Sequence, residues 1–119
     1  MPKRVSQDFW GLIQELVNTS KVVIDRPKNS RHPDYPERSY PYDYGYLAGT
    51  MSPDGGGIDV WVGTGDAHDV VGIICTVDLT RRETEIIVLL GCNDDEMQAV
   101  FEFLDTESMG CILFRRRPD

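Results

Sequence analysis

The stretch RSYPYDYGYLAGTMSPDGGGIDVWV (residues 38–62) alternates tyrosines with other residues, breaks at a glycine-rich turn and resumes as a short apolar run. Tyr40, Tyr42, Tyr44 and Tyr46 occupy every second position, so an extended segment would point all four phenols to one face. Such a row offers hydroxyl donors suited to phosphoryl oxygens; packing with wet hydroxyls is the commoner use of a tyrosine row. Asp54 lies in the turn PDGGG (53–57), and Asp59 sits just inside the run that follows. On a straight strand these two aspartates would face opposite ways. The glycines Gly55, Gly56 and Gly57 can adopt positive φ, which lets the turn swing Asp54 back beside Asp59. Two carboxylates brought together in this way could share a hard divalent cation such as Mg²⁺. The plainer alternative for Asp54 is an ordinary turn aspartate.

Outward from this block the chain reads as short strands with two helices. KVVID (21–25) precedes it as a strand, and runs at 44–50, 58–62, 70–78 and 85–90 continue the strand pattern. Pro27, Pro33, Pro36 and Pro41 make 26–43 an extended loop, and LTRRET (79–84) reads as a hairpin loop. Phe9, Leu12, Ile13, Leu16 and Val17 form one helical stripe that Ser6 could cap. A second helix is predicted over 94–104, with Asn93 and Glu96 at capping-box spacing and Met97, Val100, Phe101 and Leu104 as its apolar stripe. GCILFR (110–115) reads as a closing strand. This order predicts an α+β fold, a small twisted OB-like β-barrel of about five to six strands packed by two helices. The regular strand-helix alternation of a doubly wound sheet is absent.

The 119 residues fit one domain, and a chain this long buries roughly 65% of its unfolded surface, enough for a core without staples. With 40% hydrophobic and 27% charged residues it is an ordinary globular chain. A net charge of −8 argues against broad nucleic-acid binding or attachment to an anionic membrane. The charge is uneven. Residues 41–80 contain Asp43, Asp54, Asp59, Asp66, Asp69 and Asp78 but no Lys or Arg, so these carboxylates either face water or meet a cation. Cys75, Cys92 and Cys111 show no zinc-ligand spacing and read as reduced thiols, two of them in apolar runs. The N-terminal MPKRVSQDFW lacks a signal-type apolar stretch, and nothing approaches the ~20 apolar residues of a membrane span. The expectation is a soluble, cytoplasmic protein. Asp66, His68 and Asp69 in GTGDAHD lack any ligand spacing and read as a solvated loop.

The order YPxxYGY, a threonine, then D-G-x-x-I-D-V resembles the central block of the soluble family I inorganic pyrophosphatases. The clear match covers 38–62, and weaker similarity runs from 21 to 90. The resemblance implies a single pyrophosphatase-like domain over 1–119 with an OB-like barrel, and Mg²⁺-dependent hydrolysis of inorganic pyrophosphate to two phosphates. It implies metal ligands at Asp54 and Asp59 with Glu83 as a third, and a further active-site carboxylate at Asp25. Tyr44 and Asp59 would be catalytic, and Tyr40, Tyr44 and Arg38 would contact a small phosphorylated substrate. It also implies a homo-oligomer.

Several positions depart from the family pattern. Gly56 stands where the family has its middle aspartate, and Gly57 where it has a proline. Glu85 stands where a phosphate-binding lysine is expected, and Leu104-Asp105 replaces a Tyr-Lys pair. Removing one stabilising donor commonly costs about 10²–10³ in rate, so these departures motivate an alternative: a non-catalytic binding or regulatory module on the pyrophosphatase fold. Arg26, Lys28, Arg31 and Arg38 in the proline-rich loop, with Arg81 and Arg82, could restore positive charge if the loop folds over the tyrosines.

Overall fold

A computed structural model describes residues 8–116. The elements run α1 (Phe9–Asn18), β1 (Val22–Arg26), β2 (Asp43–Leu47), β3 (Ile58–Val62), β4 (Val70–Asp78), β5 (Glu83–Leu90), α2 (Asp94–Leu104) and β6 (Met109–Arg115). The expected elements are all present, with ends shifted by up to three residues. The Asp8 carboxylate caps α1 by accepting from the Gly11 N–H at 2.8 Å; Ser6, the expected cap, lies outside the described residues. At α2 the capping box is complete. The Asn93 side chain accepts from the Glu96 N–H at 2.8 Å, and Glu96 accepts from the Asn93 N–H at 3.0 Å. Asp94, Asp95 and Glu96 then load the first turn with the negative charge that a helix N-terminus favours.

The six strands form one mixed sheet in the order β1-β2-β3-β5-β4-β6. All neighbours are antiparallel except β3 and β5, which run parallel with Trp61 opposite Leu89. The β4-β5 hairpin is therefore folded back so that its second strand, not its first, lies against β3. Among the described residues β1 and β6 remain unpaired edges, so the expected barrel is an open sheet that curves without closing.

Each face of the sheet carries its own core. On one, Trp61, Ile74, Ile87 and Leu89 pack against Met97, Val100 and Leu104 of α2. On the other, Leu47, Val60, Val88 and Leu90 pack against Val17, with Ile13 and Leu16 of α1 alongside. Alternation along the strands sorts these sets, since neighbouring side chains point to opposite faces. Cys75, Cys92 and Cys111 are free thiols, and burial pushes Cys92 up to about 12 and Cys111 up to about 11.

Candidate functional site

The central block places its residues on the α2 face of the sheet. Tyr44 of β2 lies opposite Trp61 of β3, and Tyr46 lies opposite Asp59. Cross-strand partners share a face, so Asp59, Trp61, Tyr44 and Tyr46 point the same way. Glu83 and Glu85 alternate with exposed residues on β5 and share the face of the buried Ile87 and Leu89. Beyond the apolar core this face thus ends in carboxylates.

The turn leaves Asp54 within electrostatic reach of Asp59, whose carboxyl its charge raises. Gly55 sits at φ 87°, a left-handed conformation that costs glycine nothing. Asp54 also serves the turn itself: its carboxylate accepts from the Ser52 hydroxyl and from the Gly56 N–H at 2.9 Å. Those bonds hold the Asp54 carboxyl below the usual carboxylate range. Turn residue and site residue are here the same aspartate.

Glu85 joins the pair. Partial burial, then the charges of Asp59 and Asp54, push Glu85 up to about 7. Burial likewise raises Asp59, against a hydrogen bond from the Tyr44 hydroxyl that favours its ionised form. Tyr44 is raised well beyond an ordinary phenol by burial and by Asp59, so it stays protonated and donates. Asp25 occupies the irregularity where β1 shifts register against β2, and its charge reaches both Asp59 and Tyr40. Glu83 adds its charge to Glu85. Among the described residues no three Asp, Glu, His or Cys side chains group closely enough to hold a metal ion unaided.

The tyrosine row is bent rather than straight. Tyr40 stacks on Tyr44 with ring centroids 5.7 Å apart, whereas residues four apart on one strand would be separated by about 13 Å. Pro41 precedes β2, and the chain turns at Tyr40-Pro41-Tyr42, folding Tyr40 inward until it is buried against Trp61 and Phe103. The 27–42 loop doubles back on itself through Tyr40 N–H to Ser30 O, Asn29 N–H to Tyr40 O and His32 N–H to Arg38 O, each 2.9 Å. It lies over the tyrosine face and carries its cations there. Arg26 stands 5.9 Å from the Tyr40 ring centroid, and Lys28 lies over Tyr42 at 5.1 Å. Arg38 stacks on Phe103 at 4.1 Å and donates to the Phe103 carbonyl, so α2 already engages its guanidinium.

Asp54, Asp59, Tyr40 and Tyr44 therefore gather with Asp25 around one end of the sheet, and Glu83 stands at its margin. The sequence reads Glu85 only as the replacement of a phosphate-binding lysine; the fold puts its carboxyl within electrostatic reach of Asp54 and Asp59, and puts Arg26 beside the Tyr40 ring. The available clue to Glu85 was its place two residues before Ile87 and Leu89, on the same strand face.

Neither a protein-family model nor a curated protein matches the sequence. Solved structures match its fold. An inorganic pyrophosphatase from Helicobacter pylori superposes with a TM-score of 0.54 at 17% identity, covering 81% of this chain and 82% of that one. An inorganic pyrophosphatase from Coxiella burnetii gives 0.51 at 15% identity, covering 77% and 81%. At such identities the likeness is one of architecture, and this chain has the inorganic pyrophosphatase fold.

Proposed function

We propose that the protein is a Mg²⁺-dependent phosphoanhydride hydrolase acting in the cytoplasm, with inorganic pyrophosphate as substrate. The observation that carries this reading is that Asp54, Asp59 and Glu85 lie within electrostatic reach of one another beside the Tyr44 phenol, with Arg26 on the adjoining tyrosine. The donor set suits the ion: carboxylate oxygens are hard ligands, and Mg²⁺ is commonly held by one or two carboxylates with waters and substrate phosphates completing its shell. Asp54 and Asp59 would hold the metal, which when bound neutralises charge on the phosphoryl oxygens.

The remaining roles belong to the chain. The Tyr44 hydroxyl stays protonated and orients the Asp59 carboxylate. Tyr40, polarised by Arg26, presents a hydroxyl donor to a phosphoryl oxygen. The Glu85 carboxyl, titrating near neutrality, holds or releases a proton beside Asp59 and takes up the proton-handling place left by Gly56. Asp25 keeps the field at this end of the sheet negative, and Glu83 is a peripheral ligand candidate. Arg38 contributes charge to the tyrosine face while anchoring the loop to α2.

A second reading, a non-catalytic binding or regulatory module, is favoured by two observations. Glu85 puts negative charge where a phosphate needs a cation, and Arg38 is engaged by Phe103. Phosphate release from pyrophosphate with Mg²⁺ separates the two. Turnover that depends on Mg²⁺ supports the hydrolase; pyrophosphate binding without release assigns the module.

A further inference from the structure

The aromatic rings of the candidate site continue beyond it into the proline-rich loop. Tyr44, beside Asp59, stacks on Tyr40. Tyr40 stacks in turn on His32, with ring centroids 5.8 Å apart and planes 4° from parallel. Tyr35 lies against His32 at 5.2 Å, tilted by 52°. The rings thus run from the buried Tyr40 through the half-buried His32 to Tyr35, which is 54% exposed.

The loop holds this outer end in place. His32 Nδ1 accepts from the Asp34 N–H at 3.1 Å and from the Tyr35 N–H at 3.2 Å. The Tyr35 carbonyl accepts from the Arg38 N–H at 2.8 Å, and Pro33 and Pro36 stiffen the flanks. With Nδ1 accepting, the neutral His32 ring carries its proton on Nε2 and presents a donor there. Rings held in this way lose little further freedom when a ligand settles on them.

We propose that Tyr35 and His32 form a stacking platform for a nucleobase, so that the site accepts a nucleoside 5′-diphosphate as well as bare pyrophosphate. This rests on the hydrolase reading for the place of the phosphates. Three features argue for it. Pyrophosphate has no apolar part, so Tyr40, Tyr44 and Arg26 can meet it alone, whereas a fixed, exposed ring further out gains only from a ligand with its own ring. Every base has a π-face, and stacking on an aromatic side chain is a general way to hold one. Charge is the second feature. The loop carries Arg26, Lys28, Arg31 and Arg38 against Asp34 and Glu37, and Arg26 lies over Tyr40, between the platform and the carboxylates in the run of rings. The third is the net charge of −8, which suits a ligand of two phosphates and opposes a polynucleotide with many. In the step this adds, water attacks the terminal phosphorus and the bridging P–O bond breaks. The bridging oxygen leaves with the nucleoside monophosphate, orthophosphate is released and one proton passes to solvent.

Calorimetric titration of the full chain with AMP, which has no anhydride to hydrolyse, tests the platform by itself. With Mg²⁺ present, AMP should bind with a Kd below about 1 mM, and ribose 5-phosphate about tenfold more weakly or worse. Tyr35→Ala, an exposed change, should weaken AMP about tenfold or more, while Tyr35→Trp keeps a stacking face and should bind AMP as the wild type does. Phosphate release then compares ADP with pyrophosphate, and the ratio of their kcat/KM values should fall about tenfold in Tyr35→Ala. AMP held no better than ribose 5-phosphate, or equally well by Tyr35→Ala, overturns the proposal. So does ADP left intact by a protein that hydrolyses pyrophosphate. A protein that binds AMP through Tyr35 yet releases phosphate from neither substrate keeps the platform and contradicts the hydrolase reading alone.

Discussion

Glu85 shows how one side chain can couple a site to solution conditions. Its carboxyl is raised from an ordinary 4.5 to about 7, chiefly by burial and then by Asp59 and Asp54. Between those pH values the folded protein binds more protons at this position than the unfolded chain. Stability therefore falls as pH rises through that window and levels off above it. Asp59, also raised by burial, adds in the same direction; Asp54, lowered by its turn bonds, acts only at more acid pH. Urea midpoints of the metal-free protein at pH 5, 6, 7 and 8 should decline, and Glu85→Gln should flatten the decline. An unchanged slope in the variant would show that Glu85 is not the group responsible. This residue also marks where sequence reading stopped. Asp54 and Asp59 could be paired because glycine freedom in one turn is a local property. Glu85 reaches them only because β5 lies parallel to β3, a pairing made by distant segments.

At the scale of elements, local rules carried far. The capping box at Asn93 and Glu96, the α1 stripe and the strand alternation are set by neighbouring residues, and each appears where its pattern lies. The bend at Pro41 defeated the straight tyrosine row, since a proline before a strand redirects the chain in a way that alternation alone does not show. Gly45, in the middle of DYGYL, has a role that alternation also hides. A Cβ there would stand 1.8 Å from the Val23 carbonyl oxygen, so β1 lies against bare backbone. Gly45→Ala must push β1 off β2 and should cost about 3 kcal/mol or more in urea unfolding. A loss below about 1 kcal/mol, within the range of ordinary substitutions, would mean that β1 yields easily and that the close approach is not a constraint. The glycine of the tyrosine motif is thus a packing requirement, and through Asp25 and Arg26 of β1 it also supports the site.

For the whole molecule, the open sheet gathers its carboxylates and tyrosines on the face beside α2. A ligand that binds the folded chain alone stabilises it by mass action, about 2.7 kcal/mol at a hundred times Kd. Mg²⁺ should accordingly raise Tm by several degrees in the wild type and much less in Asp54→Asn. The shift should grow from pH 6 to 8, because loading a cation beside Asp59 favours the ionised form of Glu85. A Tm equally responsive in Asp54→Asn would move the metal elsewhere. The central claim concerns Asp59, and the most direct measurement is phosphate release from pyrophosphate with Mg²⁺ by wild-type and Asp59→Asn proteins purified identically. The account predicts turnover in the wild type and a fall of about 10²–10³ in kcat/KM in the variant. Equal rates in the two proteins would contradict it.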